Sequence, residues 1–318
     1  NILNFKQDYP DFALYKLEQN YRSTRYIVDA ANSVIAKNQD QIEKVVWTAN
    51  GEGERIAVHR CYSDNEEGRW AATQIFDLHN QRQQHWKDMA ILYRTNAQSR
   101  SFEESLRKLN VPYRIYGGLS FYQRKEIKDL IAYFRLTANP RDDEALKRII
   151  NYPARGIGKT TMDRLLVEST ERELSIWDLV TDELTPPNSV KGASLRKVQD
   201  FIQMMRGFKA ELDKKDAHDL GMHIAKHTGL VHTLYQDKTP EGVARYDNVQ
   251  ELLNGMKSFV EQAREADADA FPSLGDFLLD VALLTDADQD DGDENKVSMM
   301  TIHAAKGLEF ENVFVVGL

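Results

Sequence analysis

Residues 297–318 read VSMMTIHAAKGLEFENVFVVGL, and this stretch decides the fold. Residues 297–302 and 312–317 are short runs of Val, Met, Ile and Phe, the composition of strands buried on both faces of a parallel sheet. Between them lies a loop of small residues that carries His303, Lys306, Gly307 and Glu309. A parallel α/β sheet places its ligand-binding loops at the carboxyl ends of its strands. Residues 303–309 are therefore expected at such an end. The chain stops at Leu318, in or just after a buried strand, where domains seldom stop. Asn1 is not a natural start. The expectation is a fragment of a longer protein.

Two strands cannot fold alone, so their partners are sought upstream. Residues 56–62, 89–93 and 113–116 read as strands, the last ending in Gly117-Gly118. Residues 65–83 and 98–109 read as helices, the first with Trp70, Ile75 and Leu78 inward. Strands alternating with helices at this spacing are βαβ units. Arg94 and Asn96 then fall at a strand's carboxyl end, as His303 does. Residues 17–24, LEQNYRST, precede a helix with Ile27, Val28, Ala31, Val34 and Ile35 at helical spacing, and Ser23 or Thr24 can cap it. This is an ordinary loop and cap, or it presents Tyr21 and Arg22 at the mouth of the sheet. Tyr offers a flat face for a base, and Arg a planar fork for phosphate oxygens. On the second reading three loops share one edge.

From residue 125 the pattern changes. Residues 125–138, 142–151, 159–172, 195–212, 217–235, 243–264 and 273–284 read as helices, with loops at Pro186-Pro187 and 286–294. The segment from 297 onward is too short to fold by itself. Its strands should join the sheet of residues 1–116, which makes the helical module an insertion whose two ends lie close together. Inside the module, residues 155–161 read RGIGKTT. A P-loop would need glycine five residues before Gly158, and Pro153 stands there. The stretch reads instead as two helices joined by the turn Gly156-Ile157-Gly158. Exposed backbone N–H groups at the following helix start can hold a phosphate. Equally, the turn is a tight helix hairpin with Ile157 as its plug.

The 318 residues are 42% hydrophobic and 29% charged, an ordinary globular composition with length for about two domains. No apolar run reaches the ~18 residues that span a bilayer, and no signal peptide is visible. The single cysteine, Cys61, allows no internal disulfide. It points to a reducing, cytoplasmic setting and to a small buried residue on the strand 56–62. The net charge of −9 is unevenly spread. Residues 91–172 hold sixteen Lys and Arg against ten Asp and Glu; residues 261–295 hold one Arg against twelve acids. A basic segment inside an acidic chain is compatible with phosphate binding.

Five blocks stand here in one order: LEQNYRST (17–24), ILYRTNAQSR (91–100), YRIYGGLSFYQRKEIKDLIAYFRL (113–136), NYPARGIG (151–158) and TIHAAKGLEF (301–310). Together they closely resemble the UvrD/PcrA/Rep family of superfamily 1A DNA helicases, bacterial enzymes that move 3′ to 5′ on single-stranded DNA in replication and repair. Residues 175–295 match less distinctly. The resemblance implies a RecA-like parallel-sheet domain 2A, residues 1–116 and 294–318, interrupted by an all-helical domain 2B, residues 117–293. It implies that Tyr21 stacks on adenine and that Arg22 reaches the γ-phosphate as a catalytic group. It gives Glu309 the ribose. It places Arg94, Asn96, Thr301 and His303 on the single-strand track, and Gly156, Gly158 and Thr161 on duplex DNA.

The chain shows no GxxxxGK[ST], no acidic Mg²⁺ motif and no second arginine motif. Phosphoryl transfer needs the P-loop lysine, the metal and a positioned water. On the resemblance, ATP and Mg²⁺ serve the full-length protein, with the Mg²⁺ ligands outside this stretch; domains 1A and 1B of the same chain are its partners, and these residues by themselves are inactive. Repair proteins docking on 2B are expected partners beside DNA. Two rival readings stand: a non-enzymatic helix-hairpin DNA-binding module built on the Gly156–Gly158 turn, and the helicase half of a RecB/AddA-type helicase-nuclease.

Overall fold

The sheet expected from the 297–318 stretch is present and is parallel throughout. The computed structural model describes residues 11–39, 41–285 and 294–318. It divides between Arg60 and Cys61 into two units. In the first, β1 (Gln19–Asn20) pairs in parallel with β2 (Trp47–Thr48), and α1 (Arg25–Ile35) runs between them. Thr24 stands at the N-cap of α1 without a side-chain capping bond.

The expected strand over 56–62 does not form: residues 55–61 have no regular structure, and Ile56 and Val58 are exposed. A strand persists only where a neighbouring edge completes its hydrogen bonds, and among the described residues none does so here. Cys61 is accordingly half-buried and off any strand.

The second unit begins with α2 (Asp64–Arg82). Ser63 Oγ accepts from Glu66 N at 3.2 Å, and Asp64, Glu66 and Glu67 fill the first turn, where the helix dipole favours anions. The helix ends at Gln83, whose φ is 54°. Then follow β3 (Met89–Tyr93), α3 (Ser99–Lys108) and β4 (Tyr113–Tyr116). Helices α2 and α3 touch backbone to backbone: a Cβ on Gly68 would lie 2.5 Å from the Ser101 carbonyl oxygen. The late strands β5 (Val297–Thr301) and β6 (Asn312–Val315) complete the sheet in the order β4-β5-β3-β6. Both join strands from 89–116; none from residues 11–60 takes part. Ile75, Ile91, Phe102, Leu106 and Met299 are wholly buried in its core. The register sets Tyr93 opposite Thr301, so Arg94 and Ile302 leave the sheet at the same edge.

The remaining elements are helical. They are α4 (Lys125–Ala138), α5 (Asp143–Ile149), α6 (Lys159–Glu171), α7 (Ile176–Thr181), α8 (Gly192–Lys209), α9 (Ala217–His227), α10 (Leu230–Gln236), α11 (Pro240–Ala266) and α12 (Leu274–Thr285). The helix expected over 217–235 is broken in two by Gly229 at φ 80°, a conformation that glycine adopts without strain. Helix α7 was not legible, being only six residues long; Ser175 Oγ caps it by accepting from Asp178 N. These helices share one apolar cluster, distinct from that of the sheet. Of the expected loop 286–294, residues 286–293 lie outside the described residues. No helix among the described residues is long and apolar enough to cross a membrane.

Candidate functional site

Tyr21 and Arg22 sit in the first unit, in a turn directly after β1. Asn20 Oδ1 accepts from Arg22 N (2.9 Å) and Ser23 N (2.7 Å), an Asx turn. Thr48 Oγ1 donates to the Ser23 carbonyl, and Asn50 Nδ2 to the carbonyls of Tyr21 and Ser23. The backbone is thus pinned from three sides, while both side chains stand exposed, Tyr21 at 78%. Its hydroxyl donates to Gln19 Oε1 at 2.8 Å, which leaves the ring face open. A flat aromatic face beside a guanidinium suits a nucleotide's base and phosphate. The described residues put one possible metal group together, Asp216, His218 and Asp219. Asp216 there is already engaged by Arg264 and by the Asp219 N–H.

The second unit gathers its own cluster at the carboxyl edge of the sheet. Arg94 follows β3 and His303 follows β5; Arg94 Nη1 lies 3.5 Å from His303 Nδ1, though 209 positions separate them. Both are exposed. Thr301 ends β5, and its Oγ1 accepts from Ala304 N, starting the tight turns that carry His303. Asn96 stands in a 3₁₀ turn, Asn96–Gln98, with its amide against Gly118; among the described residues its buried Oδ1 has no hydrogen-bond partner. Glu309 is exposed further along the same loop. The structure therefore brings Arg94, Asn96, Thr301 and His303 to one edge. Tyr21 and Arg22 belong to the other unit.

Gln98 holds this edge in place and is not among the residues expected there. Its Oε1 accepts from Arg94 N (2.9 Å) and Thr95 N (3.0 Å), and its Nε2 donates to the Gly317 carbonyl (3.4 Å). The signal was present: Thr95 followed three residues later by Gln is a capping-box pattern. Behind this turn lies Glu103, fully buried. It accepts from Ser99 Oγ (2.7 Å), Ser120 Oγ (3.0 Å) and Phe121 N (3.1 Å). Burial pushes its pKa up, and the Ser99 hydroxyl, Arg124 and Arg107 oppose that. Burial likewise raises the phenol of Tyr93, whose hydroxyl among the described residues has no partner.

The glycine turn settles half of its open question. Ile157 is buried at 2% and is the plug of a helix hairpin. Its N–H, with that of Arg155, is taken by Asn151 Oδ1. The Arg155 guanidinium donates to three carbonyls, those of Ile149, Pro153 and Thr228. The turn is therefore rigid. Gly156 needs its φ of 69°, and Lys197 Nζ donates to its carbonyl. Gly158 is the N-cap of α6 at φ −79°, exposed, with nothing within 4 Å of where a Cβ would sit. Thr161 is half-buried in the first turn of α6.

A family model described as the UvrD-like helicase C-terminal domain matches residues 15–318. The ATP-dependent DNA helicase PcrA of Leuconostoc citreum is 39% identical over 319 residues, covering 100% of this chain and 42% of that protein. The PcrA of Bacillus subtilis is 39% identical over 324 residues, 100% of this chain and 43% of that protein. A Staphylococcus aureus PcrA is 37% identical over 321 residues, with coverage of 100% and 42%. This chain thus spans less than half the length of these relatives. Their names favour neither the hairpin-module reading nor the helicase-nuclease one. The match across nearly every residue, together with a parallel sheet that collects the expected edge residues, places the chain in the family of UvrD-like helicase C-terminal domains.

Proposed function

We propose that this chain is the part of an ATP-dependent 3′–5′ DNA helicase that supplies one wall of the nucleotide cleft, part of the single-strand track and the duplex grip. The meeting of Arg94 and His303 at one sheet edge carries the reading. Domain 2A is then residues 1–116 with 294–318, and domain 2B is residues 117–293. Bound ATP supplies the γ-phosphoryl group whose transfer to water drives the cycle. Tyr21 stacks on the base, Glu309 meets the ribose, and Arg22 brings positive charge to the γ-phosphate. Mg²⁺ would be held by residues outside this stretch.

Arg94, Asn96, Thr301 and His303 hold the single strand. Gly156 and Gly158 hold duplex phosphates through backbone N–H groups just ahead of α6, and Thr161, whose own N–H is taken by the Gly158 carbonyl, does so through its hydroxyl. A grip that tightens in one nucleotide state and relaxes in the other moves the strand, provided each state has its own affinity.

The test uses the full-length protein and a duplex with a 3′ single-stranded tail. Arg94→Ala should weaken single-strand binding with little sequence dependence and flatten its salt slope by roughly one ion. An unchanged slope would show that Arg94 touches no phosphate. Gly158→Asp should fold normally, because the site is open and Asp is a good N-cap. Its charge should cost about 1.5–3 kcal/mol of duplex binding, the scale of a hydrogen bond to a charged group. Single-strand-stimulated ATPase should survive as unwinding falls. Normal unwinding by Gly158→Asp would reduce the turn to a structural hairpin.

A further inference from the structure

The sheet and the helices have separate apolar clusters, yet they are joined by buried charge. Arg100 on α3 is 1% exposed, the largest fully buried side chain among the described residues. Its Nε donates to Glu251 on α11 (2.8 Å), its Nη1 to Glu104 on α3 (2.9 Å) and its Nη2 to Asp64 at the start of α2 (2.8 Å). One guanidinium thus engages three carboxylates, two beside the sheet and one on the longest helix of the helical part. Burial opposes its charge, and Glu104 and Glu251 outweigh that, so its pKa is raised.

A second contact follows the same face of α11. Arg124 donates to Asn248 Oδ1 (2.9 Å) and to Ser99 Oγ (2.8 Å), next to Arg100. Asn248, Glu251 and residue 255 lie three and four apart and so share one helix face. Residue 255 is glycine, inside a 27-residue helix where glycine costs about 1 kcal/mol against alanine. The guanidinium accounts for it: a Cβ there would stand 3.0 Å from Arg100 Nη1. Helix α11 is shaped to lie on this arginine.

A buried ion cluster is weak evidence for net stability, and its best-attested use is to fix the register of the elements it joins. We propose that Arg100 is a positioning residue that fixes the angle of the helical part on the sheet carrying Arg94 and His303, and so couples duplex handling to strand movement. The coupling rests on the helicase reading above; the positioning does not.

The experiment uses the full-length protein, freed of its other reactive cysteines, with spin labels at Thr73→Cys and Gln262→Cys. These exposed positions line opposite sides of a cleft of about 320 Å³ between α2–α3 and α11–α12. Glu251→Met should broaden or shift the label-to-label distance distribution. Glu251→Gln, which keeps an acceptor for Arg100 Nε, should restore it. Unwinding of the tailed duplex by Glu251→Met should fall about fivefold or more, the scale of coupling between sites, while single-strand-stimulated ATPase holds. Should Glu251→Met fail to fold, Gly255→Ala takes its place, since it adds helix propensity while displacing the guanidinium. An unchanged distance distribution overturns the positioning role, and a changed one with normal unwinding overturns the coupling. If the parent protein unwinds nothing, the helicase reading has failed, and the distance measurement still decides the role of Arg100.

Discussion

Arg22→Ala in the full-length protein is expected to lower ATP turnover by about 10³–10⁵-fold, the contribution of arginine fingers in related phosphoryl-transfer enzymes, with KM for ATP nearly unchanged. The split follows from where the charge is needed. The terminal oxygens gain most from a guanidinium as bond breaking redistributes charge, so its loss falls on the transition state more than on the bound nucleotide. The surrounding turn should keep its backbone in the variant. Asn20, Thr48 and Asn50 hold the backbone of residues 21–23 without using the Arg22 guanidinium in those bonds. Arg22→Lys should recover little, because a point charge does not replace a planar fork. Steady-state kinetics decide the matter: an unaltered kcat with a raised KM would mean that Arg22 only binds.

Glu103→Ala should destabilise the second unit by about 3–5 kcal/mol, the usual result of removing one partner from a buried charged cluster. The carboxylate serves the Phe121 N–H and the hydroxyls of Ser99, Ser120 and Tyr113, with Arg107 at 3.8 Å. Alanine would leave these donors buried without an acceptor, beside a cavity. Glu103→Gln keeps the shape and two of the oxygens' partners, and should cost less. Denaturant unfolding of both variants measures the difference. A Glu103→Ala loss below about 1 kcal/mol would mean that water reaches the site and replaces the carboxylate.

The parallel sheet and its edge were legible because its central strands β3 and β5 are buried and carry a plain apolar composition, and the loops after them carry unusual residues. Strand β4 is only half-buried, and Val313 and Val315 of β6 are exposed, so burial on both faces does not extend to them. Residues 89–93, 113–116 and 297–301 needed only local pattern, and the edge that unites Arg94 with His303 follows once the strands are parallel. The strand over 56–62 misled because its apolar residues describe a propensity, while a strand requires a partner. The break at Gly229 was hidden because apolar spacing continues on both sides of it. The buried network was illegible for another reason. Arg100, Glu103 and Glu251 look like ordinary surface charges of amphipathic helices, and nothing local reveals that a distant helix covers them. Only the glycine at 255 hinted that something presses on α11.

Gln98 and Gly317 form a lock with consequences for sequence variation. The Gln98 amide lies where a Cβ on residue 317 would collide with it, and residue 317 holds a φ of 68°. Its N–H donates to Glu67 on α2 at 2.9 Å while its carbonyl receives Gln98. Residues 67, 98 and 317 are therefore one heritable unit written in three distant places. Substitution at one changes what the others can tolerate. A larger residue at 317 would be admissible only in company with a shorter one at 98, and only where the backbone there relaxes. Among diverging members of the family, these three columns should change together or not at all, and a chimaera that exchanges the final loop between relatives should bring its own residue 98 along.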